Sequence, residues 1–463
     1  MKRLLSVLVI AILAFSMTAC QQPKPKGTVI VGTPAMNGDF INGFGNNAYD
    51  VAVRTMIFGL GTYTTTPAGE FVLDPQVAKS VVTETDAAGN KTYTFDLQTN
   101  MKWSDGAKVT ANDFVFGILF AASPEWKTAG ASSTVGRELV GWSAYNTGES
   151  KVFEGVKLLG EFKFSVTIDA KNLPYFYEVA YASYGPTPLH VWGQGVTIGA
   201  DGSSLTGDLT AAANYVATTE RFAPTVASGP FKFVSYENET VTLVYNEHFV
   251  GDYRGHKPKV ESVIVRYINQ VLDVDLVISG DVDIVAGVIE GAKIEKAKSS
   301  DQADVVSYKR NGYGMIAFTN DFGPTQSKWV RQALGHLIDR NEFLINILEG
   351  YGAVTNGEYG LSQWMYVAKA AELEDTLVNY VLNVDTANDL LDKTEWVFEA
   401  DGVTPWDRSK ATEGYWRHNA EGVELLINHF GTIDNPITDL IGAEWPRAMN
   451  QAGVKFYLEY GDF

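Results

Sequence analysis

The chain is almost without cysteine, with one in 463 residues, at position 20. A lone thiol can neither close an internal disulfide nor supply the paired thiolates of a structural zinc site. The six histidines (His190, His248, His256, His336, His418 and His429) are scattered, and none falls in a His-Glu-x-x-His helix pair. Positive charge is scarce as well. The 36 Lys and Arg are outnumbered by 55 Asp and Glu, for a net charge of −19. Such a surface repels phosphate backbones, so nucleic acid is not expected as a partner. Beyond the first 20 residues no apolar run approaches the ~20 residues that cross a bilayer. No phosphate loop ending Gly-Lys-Ser/Thr and no Gly-x-Ser-x-Gly elbow occurs, and no short-period repeat suggests a solenoid or propeller. No metal or other cofactor is expected. Gly43-Phe44-Gly45-Asn46-Asn47-Ala48 mimics a dinucleotide fingerprint, but it lacks a clear preceding strand and a matching ribose-binding acid, and it reads as a loop. Asp273, Asp275, Asp281 and Asp283 miss the spacing of a calcium loop and read as outer-face charges.

What is present begins at the amino terminus. Lys2-Arg3 precede an apolar run over residues 4–14, followed by Phe15-Ser16-Met17-Thr18-Ala19-Cys20. A basic end, a short apolar core and small residues before a cut site make an export leader, too short to span a membrane. The only cysteine follows the small pair Thr18-Ala19, which resembles a bacterial lipoprotein signal. Residues 1–19 are then expected to be removed, and Cys20 to carry the lipid. Several acyl chains on one residue anchor stably where a single chain does not. Residues 20–27 are polar and proline-bearing, a tether that stays extended. The expected location is extracytoplasmic, on the cell membrane, in the periplasmic space of a diderm. With its cysteine committed to lipid, the fold must stand on its core, and the length calls for more than one domain.

Strand and helix signals are local and clear. Thr28-Val29-Ile30-Val31-Gly32 reads as a buried strand. Residues 80–85 and 91–97 form a hairpin around Gly89-Asn90, and 156–160 with 163–168 and 231–236 with 241–245 form two more strand pairs. Thr110 and Asp113 make a capping box before Phe114-Val115-Phe116-Gly117-Ile118-Leu119-Phe120, a helix apolar nearly all round and so buried. Asp339 to Glu342 carries a second such arrangement, another helix starts at Asp385, and residues 402–419 read as a Trp-bearing loop. His336 reads as a helix histidine satisfied within the fold rather than as a ligand.

Four blocks in order then carry a resemblance. They are Lys91-Thr92-Tyr93-Thr94-Phe95-Asp96-Leu97 through Met101-Lys102-Trp103-Ser104-Asp105-Gly106 to Val109-Thr110-Ala111-Asn112-Asp113-Phe114; Ser228-Gly229-Pro230-Phe231 with Tyr245-Asn246-Glu247-His248-Phe249; Ser279-Gly280-Asp281-Val282-Asp283; and Trp329-Val330-Arg331-Gln332-Ala333-Leu334 with Ile338-Asp339-Arg340. Together they resemble the family 5 extracellular solute-binding proteins, the oligopeptide- and dipeptide-binding components of ABC importers. The resemblance implies an α/β, two-lobed periplasmic-binding-protein-like fold of mixed sheets flanked by helices. Lobe I would hold residues 28–65 and 178–273, an inserted domain 66–177, and lobe II 274–463. Ligand would lie between the lobes and be enclosed by hinge closure. Family members usually continue further, so the chain is expected to be truncated, with lobe II incomplete. No position matches the family's acidic anchor for a peptide amino terminus, and Asp462 lies too early for that role.

The implied function is a lipid-anchored monomer that captures peptides and delivers them to permease subunits, with no catalysis. The same fold could instead take an oligosaccharide, a nickel complex or haem, with Trp103, Trp406 and Trp416 available to stack on sugar faces. A secreted hydrolase using two distant carboxylates is the alternative of a different class. Asp39, Phe40, Asn42, Ser228, Trp406 and Trp416 are the candidate ligand-binding residues, with Cys20 the lipidated one.

Overall fold

The structure is a computed structural model, and it describes residues 27–461 except 68, 309–311, 347 and 434. The leader, Cys20 and Asp462 lie outside the described residues. The chain divides into two compact units. Unit 1 comprises the residues up to Thr64, Leu73–Ile268 and Val282–Ile284; unit 2 comprises Thr65–Val72, Asn269–Asp281 and Val285–Phe463. Among the described residues no helix is long and apolar enough to cross a membrane.

Unit 1 contains two larger sheets, besides the short antiparallel pair Thr197–Ile198 and Leu205–Thr206. In the first, Phe231–Glu237, Thr240–Tyr245, Ser262–Tyr267 and Thr28–Thr33 lie side by side in that order. Thr28–Thr33 runs parallel to Ser262–Tyr267, and the other neighbours are antiparallel. The hairpin turn is Asn238-Glu239, both with positive φ (50° and 54°), the two-residue geometry that matches strand twist. Asp283 extends the sheet, its N–H donating to the Ile30 carbonyl (2.8 Å) while its carboxylate accepts from the Ile30 N–H (2.7 Å).

The second sheet has the order Ala78–Thr85, Lys91–Leu97, Lys163–Ile168, Val156–Gly160, antiparallel throughout. Its first turn is set by Asp86, whose carboxylate accepts from the N–H of Ala88 (2.8 Å) and Asn90 (2.9 Å). The helix Ala111–Ala121 packs on this sheet, started by the expected reciprocal cap between Thr110 and Asp113. Its all-round apolarity has a physical reason. Phe114, Val115, Ile118 and Leu119 enter the core beneath the sheet, while Phe116 and Phe120 enter a separate cluster with Ile41, Trp126 and Trp192. A helix packed on two sides has no polar face to offer.

Unit 2 is mostly helical. Lys328–His336, Val384–Leu391 and Pro436–Gln451 share a core with the parallel pair Leu426–Thr432 and Lys455–Gly461. The helix expected from Asp385 begins at Val384, capped by the Asn383 side chain on the Thr386 N–H (2.9 Å). His336 ends its helix with Nδ1 2.9 Å from the Val381 carbonyl. Only half of the second expected cap forms. Asp339 accepts from the Asn341 N–H (3.0 Å), but the Glu342 carboxylate turns along the helix to Asn346 (2.6 Å) instead of back to the cap. The aspartates at 273 and 275 are spoken for separately, by Lys293 (3.3 Å) and Lys296 (2.5 Å).

Candidate functional site

Residues 34–47 join the strand Thr28–Thr33 to the helix Ala48–Phe58, and the helix itself holds this loop in shape. Asn47 caps the helix, accepting from the N–H of Tyr49 (2.9 Å) and Asp50 (3.2 Å), and donates to the Ala35 carbonyl (3.1 Å). One turn on, the buried Asp50 carboxylate accepts three successive N–H groups, from Asn37, Gly38 and Asp39, at 3.2 Å each. Arg54, one further turn along, donates to the carbonyls of Ile41 and Gly45 (3.0 Å). Two opposite charges at i and i+4 thus grip both ends of the loop from one helix face. Burial pushes the Asp50 carboxyl above its ordinary pKa, against the three N–H bonds that favour its charge, and burial lowers that of Arg54.

The candidates within this loop have different fates. Asp39 is buried and accepts two bonds from Arg221, one from Nε and one from Nη2 at 3.0 Å. The loop backbone approaches this carboxylate so closely that a Cβ on Gly45 would lie 2.6 Å from Asp39 Oδ2. Phe40 is fully buried against Phe233 and Tyr236, with ring centroids 5.2 and 5.4 Å away, so it supports the loop from beneath. Asn42 is exposed, as are Asn37 and Asn46. Ser228 is fully buried, and its hydroxyl finds no partner among the described residues. Its N–H and that of Gly229 both donate to the Ile57 carbonyl (3.0 and 2.7 Å) at the end of the same helix. A Cβ on Gly229 would meet the Met56 carbonyl oxygen at 2.6 Å, which explains the glycine there.

Trp406 and Trp416 belong to unit 2. Trp406 is nearly buried, stacked on Tyr415 (centroids 5.7 Å) with the Arg417 guanidinium 4.1 Å from its ring centroid. Its faces are therefore occupied by protein. Trp416 is half-buried, and its carbonyl lies 3.0 Å from His418 Nδ1. Trp103, in unit 1, is fully buried and offers no face for a sugar. A separate cavity of about 490 Å³ in unit 1 is lined by Glu125, Tyr145, Lys151, Leu205, Asp208 and Thr210 among others, and none of the six candidates lines it.

Sequence reasoning passed over Asp50, Arg54 and Arg221. The first two carry a readable signal, an acid and a base four residues apart just inside an Asn-capped helix. Arg221 carries none, since it stands 182 positions from its partner.

Asp50 makes the loop's grip depend on pH. Its folded pKa is raised above the unfolded value, so its contribution to stability is fully present below the unfolded pKa and is lost as pH rises through the folded one. Asp50→Asn removes this dependence. Wild type should therefore gain on the variant as pH falls from about 7 to about 4 in urea titrations; a difference flat with pH would contradict the reading.

Comparison with known proteins fits this architecture. The sequence profile of the bacterial extracellular solute-binding proteins, family 5 Middle, matches residues 72–463. Oligopeptide-binding protein OppA of Lactococcus lactis subsp. lactis is 23% identical over 394 residues, covering 80% of this chain and 58% of that protein. The chain thus spans less than two thirds of that relative's length. Lactococcal OppA complexed with an endogenous peptide in the closed conformation superposes with a TM-score of 0.71 at 20% identity, over 94% of this chain and 78% of the other. NikZ from Campylobacter jejuni in complex with Ni(L-His) gives a TM-score of 0.68 at 19% identity, over 95% and 74%. The α/β periplasmic-binding-protein fold expected from the sequence is the fold of these structures. By the profile match across most of its length, the chain belongs to the bacterial extracellular solute-binding proteins of family 5.

Proposed function

We propose that this protein captures peptides outside the cytoplasm and delivers them to the transmembrane subunits of an ABC importer, tethered through lipid on Cys20 and catalysing no reaction. The observation that carries the peptide reading is the likeness, over 94% of the chain, to an OppA structure holding an endogenous peptide. In this reading the loop 37–46 faces ligand, with Asn42 and its neighbours Asn37 and Asn46 as exposed amides for peptide N–H and carbonyl groups. Asp39 acts through the shape of the loop, because its charge is already balanced by Arg221. Phe40 and Ser228 support from within, and Trp416 is the more accessible of the two candidate tryptophans.

The test is isothermal calorimetry of the protein, stripped of any carried ligand, against pools of di- to penta-peptides. Saturable binding by at least one pool is expected, with a negative heat-capacity change from buried apolar surface; silence across all pools would remove the peptide assignment. The likeness to NikZ with Ni(L-His) favours a second reading, a small metal complex as ligand. Heat released by nickel with histidine, in the absence of any peptide response, would favour it.

A further inference from the structure

Arg221 is presented in an unusual way. The preceding turn, Val216–Glu220, is π-helical, closed by the Arg221 N–H on the Val216 carbonyl (2.8 Å). Such turns insert one residue into a helix and so re-aim the side chains that follow. Here Glu220 turns inward, fully buried, its carboxylate accepting from the Tyr215 hydroxyl (2.9 Å), the Thr225 N–H (3.0 Å) and the Thr225 hydroxyl (2.8 Å). Arg221, the very next residue, turns the other way to Asp39.

The guanidinium is fixed along one edge only. Nε and Nη2 donate to the two Asp39 oxygens, and the Phe44 and Phe222 ring centroids lie 4.8 and 4.9 Å from its central carbon. The Arg221 carbonyl also accepts the Phe40 N–H (2.8 Å), which ties the residue to the loop at both ends. Asp39 holds the cation firmly, raising the Arg221 pKa. The remaining N–H groups, on Nη1 and the outer side of Nη2, find no acceptor among the described residues, while the side chain stays 29% exposed. Phe222 beside it is 46% exposed. A planar donor fork, oriented by a buried carboxylate and flanked by aromatic rings, matches the two oxygens of a second carboxylate.

We propose that Arg221 recognises a carboxylate of the ligand, either a peptide's terminal carboxylate or an acidic side chain. The proposal rests on the peptide reading above. It is tested by calorimetry with three sets of pentapeptides: neutral side chains with a free carboxyl terminus, the same peptides amidated, and amidated peptides bearing one Glu. Wild type should bind one carboxylate-bearing set about tenfold more tightly than the neutral amidated set, the size of one charge-assisted contact. Which set gains identifies the source of the carboxylate. Arg221→Met should bring that ratio to about one. Arg221→Lys, which can still reach Asp39 but lacks the fork, should bring it most of the way, and serves if the Met variant does not fold. A purely structural role predicts lower melting temperatures in both variants with the ratio unchanged, and that result would overturn the proposal. Equal binding of all three sets by wild type would overturn it too, while leaving peptide binding standing. Silence of wild type toward all sets would remove the peptide reading and this proposal together.

Discussion

Replacing Arg417 with Met should destabilise unit 2 by about 3–5 kcal/mol, the usual cost of breaking a buried ion pair by removing one partner. Arg417 is fully buried within that unit. Nε donates to the Ala452 carbonyl (2.9 Å), Nη2 to Asn388 Oδ1 (2.9 Å), and Nη1 to the Trp396 carbonyl (3.3 Å) and Asp392 Oδ1 (2.9 Å). Methionine fills the stem's volume but withdraws the guanidinium donors from these acceptors. The backbone carbonyls among them are the costly ones, because they cannot move to water. Asp392 loses less, since it is half-exposed and keeps Arg408 at 2.6 Å; against the burial that would raise it, the two arginines hold its carboxyl below the ordinary range. The effect should therefore fall toward the lower end of the range. Urea denaturation followed by near-ultraviolet circular dichroism measures it, and a loss under about 1 kcal/mol would show that the cluster is not a stability centre.

Phe164→Ala should cost unit 1 about 3–5 kcal/mol by the transfer and cavity terms of a large core deletion. Phe164 is fully buried and stands between two rings, stacked on Phe95 (5.2 Å, 25°) and on Phe114 (5.3 Å, 22°). It thereby joins neighbouring strands of the second sheet to the helix Ala111–Ala121. Its strand is paired on both sides, so the backbone cannot close in on the cavity. Phe164→Leu keeps most of the volume and should cost about 1.5 kcal/mol or less, apart from the two ring contacts. Equal losses for the two variants would contradict the packing account. Both are read from chemical denaturation midpoints at constant slope.

Much of this architecture is legible along the chain because its causes are local. The Asp86 turn, the Thr110–Asp113 cap and the Asn238-Glu239 hairpin each depend on side-chain chemistry within a few residues. Period-two alternation in Lys91–Leu97 reports its inward face directly, with Tyr93, Phe95 and Leu97 buried. The candidate site is less legible in the sequence. Trp103 lies in a family block and Phe40 in the loop after the first strand, and both are aromatic, yet both are fully buried. An aromatic residue suits a pocket and a core equally, and composition cannot separate the two. Asp39 is readable as a loop acid, but nothing near it in sequence announces its guanidinium.

Residue order alone was enough to determine the family, the α/β class and the paired strands with their turns, because hydrophobic period and turn-forming residues act over a few positions. Tertiary structure alone decided which charges meet. Arg221 reaches Asp39 across 182 positions, and Arg417 finds Asn388 and the Ala452 carbonyl from opposite directions in the chain. An ion pair of this kind exists only where packing has already removed water and fixed both partners, and that condition belongs to the folded interior rather than to any stretch of sequence.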